Sequence, residues 1–218
     1  MPLRYDTKDV AAPERSRRWH DVIAATYFPL NLRFRAPERF NGELAVWTLG
    51  DLSLPRLKSD ALSYERLPHH LASERDEQYL VTAPAVSDVT FSQCGVEQRC
   101  APGGFILERG HEPYLFGHER ANDLWVLKVP GDALRGRIRA PDRFSTLQFD
   151  ATAGVGALFV DLLHLIPGRF ETMSREAHVS IGQQLVDLLV LALKSDERAL
   201  TSTVSAVREA HLARIEKF

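Results

Sequence analysis

Apolar positions in the first part of the chain recur at helical spacing. Over Pro13–Phe28 the residues Trp19, Val22, Ile23 and Tyr27 fall on one face. Pro13 suits a first helical turn, Glu14 favours the positive end of the helix dipole, and Pro29 stops the helix. From Leu30 to Val129 the texture changes. The segments LNLRFR, ELAVWTL, LSLPRLK, ALSYERL, QYLVTA, VSDVTFSQC, VEQRC, GFILE, PYLF and NDLWVLKV alternate with Gly, Pro, Asn and Asp. Short apolar runs with such punctuation predict the strands of a sandwich or barrel. Phe40–Glu43 (FNGE) and Pro102–Gly104 read as hairpin-type turns. The span accommodates one jelly roll of about eight to ten strands.

After Pro130 the pattern turns helical. GDALRGRI predicts a short helix, Arg143–Asp150 a last strand, and Ala151–Leu165 is apolar. Arg175–Lys194 predicts a longer helix, with Ile181, Leu185, Leu188, Leu189 and Ala192 in a heptad-like stripe. The tail, Thr203–Phe218, is amphipathic through Val204, Val207, His211, Ile215 and Phe218. It carries no Gly, Asn or Pro stop signal, so the helix is expected to continue into a further part of a larger protein. Strands followed by helices define an α+β chain with segregated layers.

Composition narrows the function. The chain of 218 residues has 27 basic and 29 acidic side chains, a net charge of −2, which does not suit a domain that grips DNA by neutralising phosphates. No stretch approaches the ~20 apolar residues of a membrane span; the longest run, Leu185–Leu193, is interrupted by Asp187. The N-terminus lacks a basic-then-apolar leader, so cytoplasmic residence is expected. Cys94 and Cys100 have no His or Cys neighbours to make a zinc site and read as plain thiols.

Certain motifs, taken in order, carry a family likeness. The leading helix ends in Tyr27-Phe28-Pro29-Leu30, and a turn with an apolar strand behind it follows at Pro102–Glu108 (PGGFILE). LKVPGDAL (Leu127–Leu134) and DATAGVGAL (Asp150–Leu158) then precede two helices. Together these resemble the N-terminal ligand-binding and dimerisation domain of AraC-type transcription regulators, in particular the AraC-binding-like subset. The resemblance implies a cupin-like antiparallel jelly roll with an N-terminal helix and a C-terminal helical dimerisation segment. It divides the chain into residues 1–150 (helix and ligand-binding roll), 151–202 (helical dimerisation) and 203–218 (a linker helix). It further implies a small-molecule effector, a homodimer, and DNA contact only through a helix-turn-helix half that is absent from this chain.

Within that likeness the roll interior is the expected ligand pocket. The strand aromatics Trp47, Tyr64, Tyr79, Phe116 and Trp125 are candidates to line it, with Arg56 or His70 to anchor a carboxylate. Leu185, Leu188, Leu189 and Leu193 are candidates for a two-fold interface. An alternative anionic site rests on Arg35 and Arg39, in the R-x-x-x-R spacing of cyclic-dinucleotide-binding PilZ domains, with Asp51 and Ser53 opening a D-x-S element. Arg56 stands where that element would close with glycine.

A cupin-like metalloenzyme is the other alternative. It needs an H-x-H pair, whereas His69 and His70 are adjacent and would point to opposite faces of a strand. Glu74 follows in a loop-like stretch, and although His111 and His118 sit near the place of the later cupin His, the residue two after Gly104 is Ile106, not His. There is no G-x-S-x-G, no glycosidase-type carboxylate pair, and Gly154-Val155-Gly156 lacks the setting of a phosphate loop. No catalytic residue, metal or cofactor is expected.

Overall fold

The computed structural model describes residues 2–72, 76–145 and 147–195. The linker helix expected over 203–218 lies outside them, as does Glu74.

Each apolar segment between Leu30 and Val129 forms a strand. The chain opens with β1 (Leu3–Asp6) and α1 (Arg15–Thr26), the latter preceded by a 3-10 turn, Ala12–Glu14. The predicted segments become β2 (Asn31–Phe34), β3 (Gly42–Leu49), β4 (Leu52–Ser59), β5 (Leu62–Arg66) and β6 (Gln78–Pro84). They continue as β7 (Val89–Gln93), β8 (Val96–Cys100), β9 (Gly104–Arg109), β10 (Tyr114–His118) and β11 (Asn122–Pro130). After them come α2 (Gly131–Arg135), β12 (Gln148–Asp150), α3 (Gly154–Arg169) and α4 (Arg175–Lys194). Ser174 caps α4 by accepting the Ala177 N–H, 3.2 Å.

Two antiparallel sheets face one another. One has seven strands in the order β1-β3-β4-β11-β6-β9-β12, the other five in the order β2-β5-β10-β7-β8. This is the α+β, cupin-like jelly roll with flanking helices that the sequence predicts. Two turns differ from expectation. β2 and β3 lie in different sheets, as do β8 and β9, so Phe40–Glu43 and Pro102–Gly104 carry the chain across the sandwich and close no hairpin. Two-residue hairpins fall instead at Gly50-Asp51 between β3 and β4 and at Cys94-Gly95 between β7 and β8; in the second both residues have positive φ (53° and 76°), as a type I′ loop requires.

The large sheet is covered on both faces. Its inner side contributes Leu44, Leu57, Leu80, Ile106, Leu124 and Val126 to a core shared with the small sheet and with Trp19, Val22 and Ile23 of α1. Its outer side contributes Trp47, Leu54, Tyr79, Val81, Phe105, Trp125 and Leu127 to a second core beneath α3 and α4. Leu185, Leu189 and Leu193 lie in that second core with no exposed surface. A partner subunit cannot reach them while α4 stays docked. Of the four leucines expected at a two-fold interface only Leu188 is partly exposed. The reason is geometric: steps of four align these side chains on the face that meets the sheet. Among the described residues no helix is long and apolar enough to cross a membrane.

Candidate functional site

The inner core is not filled completely. Between α1, the Tyr27–Leu30 segment and the strands β4, β5, β6, β9, β10 and β11 lies a cavity of about 40 Å³. By this measure a water needs roughly 10–15 Å³, so the space suits a few heavy atoms, well short of the ~300 Å³ of pockets for larger ligands. Half of its lining residues are aliphatic: Ile23, Leu30, Leu57, Leu80, Leu124 and Val126. Tyr27, Tyr64, Tyr114 and Phe116 supply aromatic surface, and Thr82 and Glu108 are polar.

Alternation along β9 explains how an acid reaches this interior. Phe105 and Leu107 face the helices, so Ile106 and Glu108 face inward. Glu108 is 2% exposed. Burial pushes its carboxyl up to about 8, with only the Thr82 hydroxyl, which donates to Oε1, acting in the other direction. At neutral pH the side chain is mostly the uncharged acid. The hydroxyls of Tyr27 and Tyr64 are buried; that of Tyr27 makes no hydrogen bond among the described residues, whereas that of Tyr64 is turned toward Ser59 and the Trp19 indole. Burial raises both phenols well above their usual range.

One wall is a strap. The Tyr27 carbonyl accepts from Lys128 Nζ at 2.7 Å, and the Pro29 carbonyl from Arg66 Nη1 at 2.6 Å. The Arg66 guanidinium lies 4.1 Å over the Phe28 ring. Phe28 packs so closely on Gly110 that a Cβ there would come within 2.7 Å of the ring. His20 Nε2 meets the Leu30 carbonyl at 2.9 Å.

The residues expected in the pocket are divided by the sheet. Tyr64 and Phe116 are inside, ring centroids 5.7 Å apart. Trp47, Tyr79 and Trp125 are on the opposite face, beneath the helices. Trp47 stacks on Trp125 at 6.2 Å, and Arg56 lies 4.7 Å over Trp125. Arg56 grips Asp123 through two bonds, 2.9 and 2.6 Å, so its fork is occupied and does not point into the roll. The Tyr79 hydroxyl donates to Asp142 at 2.5 Å. His70 sits outside the roll, where its Nδ1 accepts the Leu67 N–H at 3.0 Å.

The anionic motif is not brought together. Arg35 and Arg39 precede β3, whereas Asp51 lies in the turn after that strand and Ser53 near the start of β4. The eight-residue strand between them spans about 24 Å at ~3.4 Å per residue. Arg35 donates instead to the Glu119 carbonyl, 2.9 Å. The histidines are occupied locally: His69 packs on His70, His111 Nδ1 meets the Gln78 carbonyl at 3.1 Å, and His118 Nδ1 meets the Arg120 carbonyl at 2.7 Å. Among the described residues no three His, Cys, Asp or Glu are grouped to hold a metal.

Glu108, Thr82 and Tyr27 escape the sequence reading. The available signal was the acid at the end of GFILE, two residues after Ile106 and hence on its face.

Comparison with known proteins adds three findings. The profile of the AraC-binding-like domain matches residues 19–194. The transcriptional activator NphR of a Rhodococcus species is 28% identical over 163 residues, 72% of this chain and 49% of NphR, so the chain spans about half the length of that relative. Among solved structures, the AraC-like transcriptional activator CuxR superposes with a TM-score of 0.75 over 90% of this chain and 71% of its own. At 18% identity that likeness is one of fold.

Proposed function

This chain belongs to the AraC-binding-like domain family, and from that premise we propose that it is the effector-sensing and dimerisation part of a transcription regulator, with the roll interior receiving the effector. One observation carries the reading: an apolar cavity retains an acid, Glu108, and a phenol hydroxyl, that of Tyr27, which has no hydrogen-bonded partner among the described residues. Each buried unsatisfied polar group costs about 1–3 kcal/mol. A scaffold without a guest would be more stable with Leu and Phe in these places. A guest that hydrogen-bonds them recovers that free energy only when bound, and so favours one conformer of the roll over another. Anything larger than a few heavy atoms must displace the Tyr27–Leu30 strap, which connects the cavity to α1.

The test is thermal unfolding of the purified chain against a panel of neutral, cationic and anionic small molecules. One chemical class is expected to raise the melting temperature in proportion to the logarithm of its concentration. Leu80→Trp, which fills the cavity, should abolish that shift. A flat response across all classes, with the same result for the wild type and Leu80→Trp, would sink the sensing role.

In the proposed arrangement the chain performs no chemistry of its own. Residues 1–150 sense, 151–202 associate, and 203–218 lead toward a DNA-binding half, as befits a cytoplasmic regulator. For the homodimer, the exposed apolar side chains of the helical layer are the better candidates: Leu158 (58% exposed), Leu165 (56%) and Leu191 (52%), with Leu188 beside them. Leu158→Glu combined with Leu191→Glu is expected to weaken self-association at least about tenfold, since like charges are brought to a two-fold seam. Sedimentation velocity over a concentration series reads this directly. Unchanged dimerisation would place the interface elsewhere.

A further inference from the structure

We propose that the effector is a small primary amine whose ammonium group sits against the Glu108 carboxylate and the Tyr27 hydroxyl oxygen, its apolar body lying along the aliphatic walls. The inference rests on the interior being the sensing site, and it adds the chemical class.

Charge decides first. Among the described residues no Lys, Arg or His lines the cavity. Burial and the Thr82 hydroxyl are the influences that set the proton affinity of Glu108, with no cation among them. The titratable groups facing it are Tyr27 from the strap, Tyr64 from β5 and Tyr114 from β10. Lys128 and Arg66, the cations bonded to the strap, donate to its Tyr27 and Pro29 carbonyls. A carboxylate or phosphate guest would therefore meet an acid with no compensating positive charge. A cationic guest would meet the partner that a buried acid lacks.

Hydrogen bonding decides next. A primary ammonium has three N–H donors and no acceptor. The cavity offers three acceptor oxygens: the two of the carboxylate, one of which already accepts from Thr82, and the Tyr27 phenol oxygen, which has no bond of its own among the described residues. The rings of Tyr27, Tyr64, Tyr114 and Phe116 line the same space, and aromatic faces attract a desolvated cation. A neutral alcohol could satisfy that phenol but would leave Glu108 protonated and the other acceptors unused.

The proton balance gives a signature. The empty protein holds a proton on Glu108 up to about pH 8, whereas the ammonium, with a pKa near 10.4, stays charged. Binding at neutral pH therefore expels about one proton from Glu108. Apparent affinity should rise about tenfold per unit from about pH 6 to about pH 8, and then level.

Isothermal titration of the whole chain with ethylamine, propylamine and butylamine, each paired with its isosteric alcohol, tests this. Expected results are tighter binding of at least one amine than of its alcohol, release of about one proton per amine near pH 7, and the stated pH profile. Glu108→Gln is expected to weaken the amine at least about 100-fold while leaving the weaker alcohol binding unchanged. Tyr27→Phe, which keeps the ring, should cost about five- to tenfold. Equal affinity for amine and alcohol, no pH dependence, or no loss in both variants overturns the amine class. Binding by neutral or anionic compounds alone would overturn that class and leave the sensing role standing. No binding by any class removes both.

Discussion

Gly182→Val is expected to destabilise the protein by at least about 3 kcal/mol, because it lifts α4 off the large sheet. A Cβ at position 182 would collide with the Leu49 carbonyl oxygen and lie 3.2 Å from its carbon, both backbone atoms at the end of β3. Flexible side chains can yield to such an intrusion, but a strand carbonyl next to a tight turn cannot. The helix must shift, and Leu185, Val186, Leu189 and Leu193, all buried against the sheet, shift with it. Overpacking alone typically costs about 1–3 kcal/mol, and the lost contacts add to it. Set against a total stability of about 5–15 kcal/mol, this is a large fraction. Gly168 provides the internal control, since a Cβ there meets nothing within 4 Å; Gly168→Ala should be neutral or slightly stabilising through helix propensity. Urea unfolding followed by circular dichroism reads both. Two variants of equal stability would mean that α4 does not rest on the β3–β4 turn as described.

Glu108→Gln is expected to be more stable than the wild type in alkaline solution, by a few kcal/mol. The folded pKa of about 8 lies above the ~4.3 of an unfolded glutamate. Between those values the native state holds a proton that the unfolded chain has released. The wild type therefore loses stability as pH rises from about 4.3 to about 8, and the loss is complete above the folded value. At about 1.4 kcal/mol per unit the full effect is on the order of 5 kcal/mol; relaxation around the buried acid makes a few kcal/mol the better expectation. Glutamine keeps an acceptor for Thr82 and does not titrate. Near pH 5 the two proteins should be nearly equal, and near pH 9 the variant should melt at higher temperature. Parallel pH profiles would show that Glu108 is not held in its acid form.

Local pattern carried much of this architecture. The strands from Leu30 to Val129 are bounded by Gly, Pro, Asn and Asp, and α4 runs over Arg175–Lys194 as its stripe predicts, because period and punctuation act over a few residues. Facing was harder. In a sheet covered on one side, apolar residues alternate with polar ones; β6, β9 and β11 are buried on both sides, so Tyr79 and Leu80, or Leu124 and Trp125, look alike in sequence. That is why Trp47, Tyr79 and Trp125 pass for lining residues although they lie under the helices. The leucines of α4 mislead for the same reason, since a stripe identifies a buried face without saying what buries it. β1 is short and pairs with a distant strand, Leu3 opposite Val46, a relation that no local window contains; the strand expected over Arg143–Asp150 shrinks to Gln148–Asp150, with a 3-10 turn at Pro141–Phe144 before it. The turns at Phe40–Glu43 and Pro102–Gly104 have hairpin composition but cross between sheets, because topology, not turn chemistry, decides which sheet the chain enters after a reversal.

The large sheet has one further consequence. Leu80 and Thr82 touch the cavity while Tyr79 and Val81, their immediate neighbours in the chain, carry the helices. The two compartments are separated by a single layer of backbone, so pressure on one surface is felt on the other within one residue. No relay of side chains is needed to connect guest and helix. By reciprocity, trimming an outward residue such as Val81 or Leu127 should retune the hold on the guest, although neither ever touches it.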